Sequence, residues 1–75
     1  MTVKLRGIKT VHISGEYIKL DALLKFAAVA ASGGEAKCMI GEGNVFVGGT
    51  RCTLRGKKIR PGDIVRYENE ILLVR

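Results

Sequence analysis

A helical period of apolar residues early in the chain constrains the fold more than any other feature. Apolar residues recur there at intervals of three and four, at Leu20, Leu23, Leu24, Ala27 and Ala28. Side chains with this spacing lie on one face of an α-helix. The pattern therefore predicts a helix over residues 20–28 whose apolar face is buried in a core.

A start signal predicts a second helix a few residues later. Ser32 and Glu35 have the spacing of a capping box, in which the serine oxygen accepts from an amide three residues on and the glutamate reaches back. The apolar face follows at Ala36, Met39 and Ile40. Gly41 and Gly43 are typical of a helix C-terminus, so the second helix is predicted to end there.

The remainder of the chain has the short apolar runs and turns of β-strands. Strands are predicted at residues 11–14 (continuing to 17–18), 45–47, 50–53, 64–67 and 71–74. Gly48-Gly49 predicts a tight hairpin turn, and Pro61-Gly62-Asp63 predicts a turn with proline in its second position. The order β-α-α-β-β-β-β predicts an α+β fold, with two short helices packed on one face of a small, mostly antiparallel sheet.

The charge balance narrows the class of partner. With 75 residues the chain has room for one domain, and its net charge of +6 favours a polyanion, either nucleic acid or an anionic membrane surface. There is no apolar run of 18 residues, and residues 1–10 lack the apolar core of a signal peptide. We therefore expect a cytoplasmic protein that does not act at membranes.

Positive charge is concentrated in one segment. No acidic residue occurs between Gly43 and Gly62. The basic residues of this segment are Arg51, Arg55, Lys57, Lys58 and Arg60. A glycine-containing loop with several cations can follow a phosphate backbone, because arginine offers a planar fork and lysine a point charge. The alternative is an ordinary solvated loop between strands.

The start of the second helix is the other candidate site. Gly33 and Gly34 follow the capping serine, and each costs a helix about 1 kcal/mol relative to alanine. Close approach of a partner to bare amides would explain them, because such amides bind phosphate. Tight packing against the preceding helix explains them equally well. Lys37 lies one turn into the same helix.

Five segments follow one another in a characteristic order and spacing. They are Leu20-Asp21 with Leu24, Ser-Gly-Gly-Glu-Ala-Lys at 32–37, Gly-Asn-Val-Phe-Val-Gly-Gly at 43–49, Arg-Gly-Lys-Lys-Ile at 55–59, and Pro-Gly-Asp-Ile-Val at 61–65. Together they resemble the S4-like RNA-binding domain, and in particular its short stand-alone bacterial branch, over about residues 17–67.

The resemblance implies a single RNA-binding domain over residues 1–75, whose surface is formed by the second helix and by the basic loop at residues 55–58. The residues implied in binding are Lys37, Arg51, Arg55, Lys57 and Lys58, with Lys25 and Arg60 as weaker candidates. Gly33 and Gly34 remain candidates through the open amides of the helix start. Gly62 and Asp63 are implied to be structural. Gly33 stands where most of the family has arginine, and Gly48-Gly49 replaces an Asn-Gly turn. The implied partner is structured RNA, ribosomal or transfer, in ribosome assembly or ribosome-associated quality control.

Catalysis is not predicted. His12 is the only histidine, and Cys38 and Cys52 lie far apart without a neighbouring ligand, so neither a nucleophile–base pair nor a zinc site is indicated. We expect no cofactor, no small-molecule substrate and a monomer. Both cysteines are predicted to be small packing residues.

Aromatic residues are few, which favours recognition of paired RNA through phosphates and 2′-hydroxyls over base stacking. Phe46 and Tyr67 are assigned to the core. Two other functions remain open. One is a protein-interaction module whose basic surface docks on an acidic protein. The other is binding of DNA without sequence preference.

Overall fold

Nine short elements make up the part of the chain that is described, residues 7–75 of a computed structural model. The sequence also has a loose alternation of apolar and polar residues at Val3 and Leu5, and this lies outside the described residues. The elements are β1 (Gly7–Val11), β2 (Ile18–Lys19), α1 (Leu20–Phe26), α2 (Gly33–Gly41), β3 (Val45–Val47), β4 (Thr50–Arg51), β5 (Lys58–Ile59), β6 (Ile64–Tyr67) and β7 (Glu70–Val74).

The strands form one sheet of five and one of two. The larger sheet has the order β1-β7-β6-β3-β4, and the smaller consists of β2 and β5. Every pair is antiparallel except β1 with β7, which is parallel. The predicted α+β fold with a mostly antiparallel sheet is confirmed, and the parallel pair at the edge is an addition to it.

The core lies between the two helices and one face of the large sheet. α1 contributes Leu20, Leu23 and Leu24, none of them exposed, and α2 contributes its predicted apolar face. Alternate residues of the strands complete this core, at Val45, Val65, Leu72 and Val74. Because side chains alternate across a strand, the residues between them lie on the outer face of the sheet.

The first helix is shorter than predicted. α1 ends at Phe26, and Ala28 has a φ of 61°, in the left-handed region. The amide of Ala28 donates to the carbonyl of Lys25, and the amide of Val29 donates to that of Leu24. These two bonds form a Schellman motif, which places an alanine where glycine is usual. The sequence lacked the glycine that would have marked this end.

The first strand was predicted too late in the chain. β1 ends at Val11, and residues 12–14 follow it outside the sheet, although the amide of Ile13 still donates to the carbonyl of Arg75. Ile18 belongs to a separate strand, which pairs with Ile59. That pairing joins residues about forty positions apart, which alternation in the sequence cannot reveal.

Two predicted turns are confirmed by the backbone. Gly48 and Gly49 have φ values of 57° and 85°, as the two central residues of a type I′ hairpin turn require. Gly62 has a φ of 100°, and the amide of Asp63 donates to the carbonyl of Arg60, as in a type II turn with Pro61 in its second position. Among residues 7–75, no helix has the length and hydropathy needed to cross a membrane.

Candidate nucleic-acid interface

The basic loop is fixed to the start of α1 through its main chain. The amide of Leu20 donates to the carbonyl of Lys57 at 2.9 Å, and the amide of Asp21 donates to that of Arg55 at 3.1 Å. The first amides of a helix have no partner within it, and the residue before α1, Lys19, makes no side-chain cap. The loop therefore caps α1, and its backbone position is set by the helix.

The side chains of this loop point into solvent. Arg55, Lys57 and Lys58 are all exposed. Within residues 7–75 the ion pair that is present joins Lys9 to Glu70, at 3.8 Å, so no carboxylate of this part neutralises the loop. The fixed main chain and the exposed cations together form a surface suited to an anionic partner.

The smaller sheet adds two residues to this surface that sequence reasoning missed. Lys19 of β2 lies directly opposite Lys58 of β5. The Lys58 ammonium lies 4.9 Å from the centre of the Tyr17 ring, and both Lys19 and Tyr17 are exposed. Their proximity to the loop depends on the long-range pairing of β2 with β5, so no local signal indicates it.

Arg51 differs from the other predicted cations because it belongs to a strand of the large sheet. It belongs to β4, and its guanidinium is 5.6 Å from the centre of the Phe46 ring, on the outer face of the large sheet. Arg66 approaches the same ring at 5.2 Å, from the strand on the other side. Phe46 is half-buried on this outer face, so its assignment to the core was wrong. Arg66 could have been found from the alternation of β6.

The start of α2 is open to solvent. The Ser32 hydroxyl accepts from the amide of Glu35 at 3.1 Å, and the Glu35 carboxylate accepts from the amide of Ala31 at 3.0 Å. A Cβ added at Gly33 would meet nothing within 4 Å, and one at Gly34 would meet only the Ser32 hydroxyl at 3.9 Å. Packing against α1 therefore does not explain the glycines.

The three other predicted cations lie at different places. Lys37 is exposed on α2, and it lies four residues after Gly33, on the same side of the helix. Lys25 is in the last turn of α1, at the end opposite the basic loop. Arg60 is exposed beside the Pro61–Gly62 turn, where its amide donates to the Asp63 carboxylate at 2.8 Å.

Three glutamates, Glu35, Glu42 and Glu68, lie near Tyr67, and none of them belongs to the basic loop. Burial raises the pKa of Tyr67 above its ordinary 10.0, and its hydrogen bond to Glu68 and the charges of Glu42 and Glu35 raise it further. Tyr67 packs against the core, as predicted. Because carboxylates repel phosphate, the turn that carries Glu68 and is followed by Glu70 is a poor place for nucleic acid.

The cysteines take no part in a cluster. Cys52 is half-buried and packs against the core, as predicted, whereas Cys38 is exposed on α2, so its assignment as a packing residue was wrong. In the part of the chain that is described, no group of three histidine, cysteine or acidic side chains could hold a metal ion.

Comparison with known proteins places these features in a family. The S4 domain family matches residues 11–75, which extends on both sides of the segment that carried the resemblance. A relative in Bacillus subtilis (strain 168), described as the probable ribosome maturation protein RlbA, is 40% identical over 58 residues. The aligned region covers 77% of this chain and 82% of the relative. The chain belongs to the S4 domain family.

Proposed function

We propose that this protein binds structured RNA, ribosomal or transfer, and acts by binding in ribosome assembly or ribosome-associated quality control. The S4 domain family and the similarity to a probable ribosome maturation protein support the choice of RNA and of a ribosome-related process. The net charge of +6 is consistent with a polyanionic partner.

One observation carries the proposal. The carbonyls of Arg55 and Lys57 are held by the first amides of α1, while the side chains of the same residues extend into solvent. Cations on a fixed main chain lose less freedom on binding than cations on a mobile loop, so their phosphate contacts are pre-organised.

The start of α2 would supply the second contact. Bare amides at a helix N-terminus bind phosphate, and the space beside Gly33 and Gly34 is open. Lys37 follows on the same side of the helix and can hold an adjacent phosphate. With Arg51 included, about four to six phosphate contacts would give a log–log salt slope of roughly −3 to −5.

The test is a binding titration with fluorescent transfer RNA and ribosomal RNA helices over a series of salt concentrations. The Arg55→Ala/Lys57→Ala variant should weaken binding and reduce the steepness of the salt slope by roughly 1.5, because each lost phosphate contact removes about 0.7 to 0.9 from it. The matched control is Lys9→Ala/Arg75→Ala, which removes two exposed positive charges that belong neither to the basic loop nor to α2. It should change the slope much less.

Three outcomes would count against the proposal. Equal weakening by the two double variants would mean that only total charge matters. Equal affinity for DNA of matched sequence would favour non-specific nucleic-acid binding, because the 2′-hydroxyl distinguishes RNA. Failure to bind any of these RNAs would favour an acidic protein as the partner of the basic surface.

A further inference from the structure

Two of the four aromatic side chains are exposed, and both line the same cleft. The exposed fraction is 40% for Tyr17 and 64% for Phe26. The cleft has a volume of about 190 Å³ and lies between the segment after β1, the start of β2 and the last residue of α1. Its lining residues are His12, Ile13, Ser14, Tyr17, Ile18 and Phe26.

The cleft is apolar at its base and polar at its rim. Ile13 and Ile18 are half-buried and pack against the core, so they form a fixed base. His12 and Ser14 are exposed and offer hydrogen-bonding groups at the edge. Clefts that hold drug-sized ligands have volumes of about 300–1,000 Å³. A cleft below that range suits a single flat ring system better than a larger molecule.

Positive charge stands directly beside the aromatic wall. The Lys58 ammonium lies 4.9 Å from the centre of the Tyr17 ring, and Lys19 faces Lys58 across the two-stranded sheet. The ring of a ligand in the cleft would therefore lie against Tyr17 and Phe26. A phosphate attached to that ring would be attracted by the positive charges of Lys19 and Lys58. Apolar surface next to cations is complementary to a nucleotide, whereas a second copy of this +6 chain would be repelled.

We propose that this cleft binds one unpaired nucleobase of the RNA, stacked on Tyr17 and Phe26, while the basic loop holds the neighbouring phosphates. The inference rests on the proposed RNA-binding function and narrows its substrate to helices that carry a bulged or looped-out nucleotide. Sequence-specific recognition of RNA commonly uses such splayed bases and aromatic side chains. The proposal adds one unpaired base to the paired RNA that the small number of aromatic residues favours.

The test uses two RNA hairpins with the same stem. One carries a single unpaired 2-aminopurine nucleotide in the stem, and in the other that nucleotide is paired with uridine. The protein should bind the bulged hairpin roughly tenfold more tightly, as expected for one stacked base. The fluorescence of the bulged 2-aminopurine should fall on binding, because stacking quenches it.

Variants assign the effect to the cleft. Tyr17→Ala/Phe26→Ala should lose the preference for the bulge and the fluorescence change. Phe26→Ala alone, which leaves Tyr17 beside Lys58, should weaken the preference yet bind the paired hairpin as the unchanged protein does. Tyr17→Phe keeps the ring and should keep both. Leu54→Ala removes an apolar side chain that is 68% exposed outside the cleft, and it should also keep both. Circular dichroism checks that each variant is folded.

The possible failures are distinguishable. If the unchanged protein binds both hairpins equally, the cleft does not hold a base, and the proposed function stands without it. If the preference persists in Tyr17→Ala/Phe26→Ala, the base binds elsewhere and the inference is overturned. If neither hairpin binds and the transfer and ribosomal RNA fragments also fail, the proposed function is overturned together with the inference.

Discussion

The two helices begin in different ways. α2 is capped by its own sequence, since the Ser32 hydroxyl accepts from the amide of Glu35 three residues later. α1 has no side-chain cap, and its first amides donate to carbonyls of Arg55 and Lys57 in the basic loop. One start is therefore local, and the other depends on a segment more than thirty residues away.

The two helices also end in different ways. Both reach a left-handed residue after the last turn, which is Gly43 after α2 and Ala28 after α1, with φ values of 80° and 61°. Glycine adopts this conformation freely, whereas the Cβ of alanine makes it unfavourable. α2 is thus specified by local signals at both ends, and α1 is held in place by the rest of the fold.

This difference has a functional consequence. The loop that caps α1 carries the cations of the candidate surface. Its carbonyls at Arg55 and Lys57 accept hydrogen bonds from the helix, which fixes the main chain of the loop. The start of α2 is capped by one side chain and leaves open space beside its glycines. Each helix therefore supports the surface differently, α1 by fixing the loop and α2 by offering its own amides.

The largest expected effect comes from breaking the external support of α1. Ile59 is fully buried, directly follows the basic loop and pairs with Ile18 just before the helix. Ile59→Ala should lower the free energy of unfolding by about 2–5 kcal/mol, through lost burial and the cavity left behind. Chemical denaturation measures this change, and hydrogen exchange at the amides of Leu20 and Asp21 should accelerate.

The matched control is Ile64→Ala, because Ile64 is 47% exposed on the outer face of the sheet. Removing the same atoms at this exposed position should lower the free energy of unfolding by only about 1 kcal/mol, since less buried apolar surface is lost. Equal losses at Ile59 and Ile64 would contradict the view that the end of the loop supports α1 through the core.

The local end of α2 should respond strongly to a Cβ. Gly43→Ala places a side chain at a φ of 80°, and the added carbon would lie 3.2 Å from the Arg51 side chain. The arginine can move, so the backbone conformation dominates and the expected loss of stability is about 1–2 kcal/mol. Thermal unfolding measures it.

Gly41→Ala is the control for that substitution. Gly41 lies within α2, where a Cβ would meet nothing within 4 Å. Alanine is a better helix former than glycine, so this variant should be more stable by up to about 1 kcal/mol. A loss at both positions would mean that the left-handed conformation of Gly43 is not the cause.

The two helix starts can be compared directly by replacing the N-cap residue of each helix with alanine. Ser32→Ala should lower stability by about 1 kcal/mol, because the amide of Glu35 loses its acceptor. Lys19→Ala should change stability by about 0.5 kcal/mol or less, because the Lys19 side chain makes no cap bond. Similar losses in the two variants, measured by denaturation, would argue that the caps do not differ.

The same contrast separates what the sequence can predict from what it cannot. The start of α2 and the hairpin turn at Gly48-Gly49 depend on neighbouring residues, and both were predicted correctly. The pairing of β2 with β5 and the parallel pairing of β1 with β7 join distant segments, and neither was predicted. Hydrophobic periodicity reports which face of a segment is buried, not which segment covers it.

The residues of the candidate site likewise fall into those that local sequence identified and those that it did not. The cations of the basic loop were named from the sequence because they are adjacent in it, and their role in binding stays a prediction. Lys19 was missed because it faces Lys58 only through the pairing of β2 with β5. Arg66 was missed although the alternation of β6 places it on the outer face of the sheet. The exposure of Tyr17 and Phe26 was missed because composition counts aromatic residues without placing them.

The smallest expected effect has the opposite sign and tests the strained end of α1. Ala28 is exposed with a φ of 61°, and its amide closes the Schellman motif by donating to Lys25. Ala28→Gly relieves a backbone cost of about 1–2 kcal/mol but adds freedom to the unfolded chain worth about 0.4–1 kcal/mol. A net gain of about 0.5–1 kcal/mol should therefore appear in chemical denaturation. A loss would mean that the unfolded chain dominates, and that α1 gains more from a stiff C-terminus than it loses through the left-handed alanine.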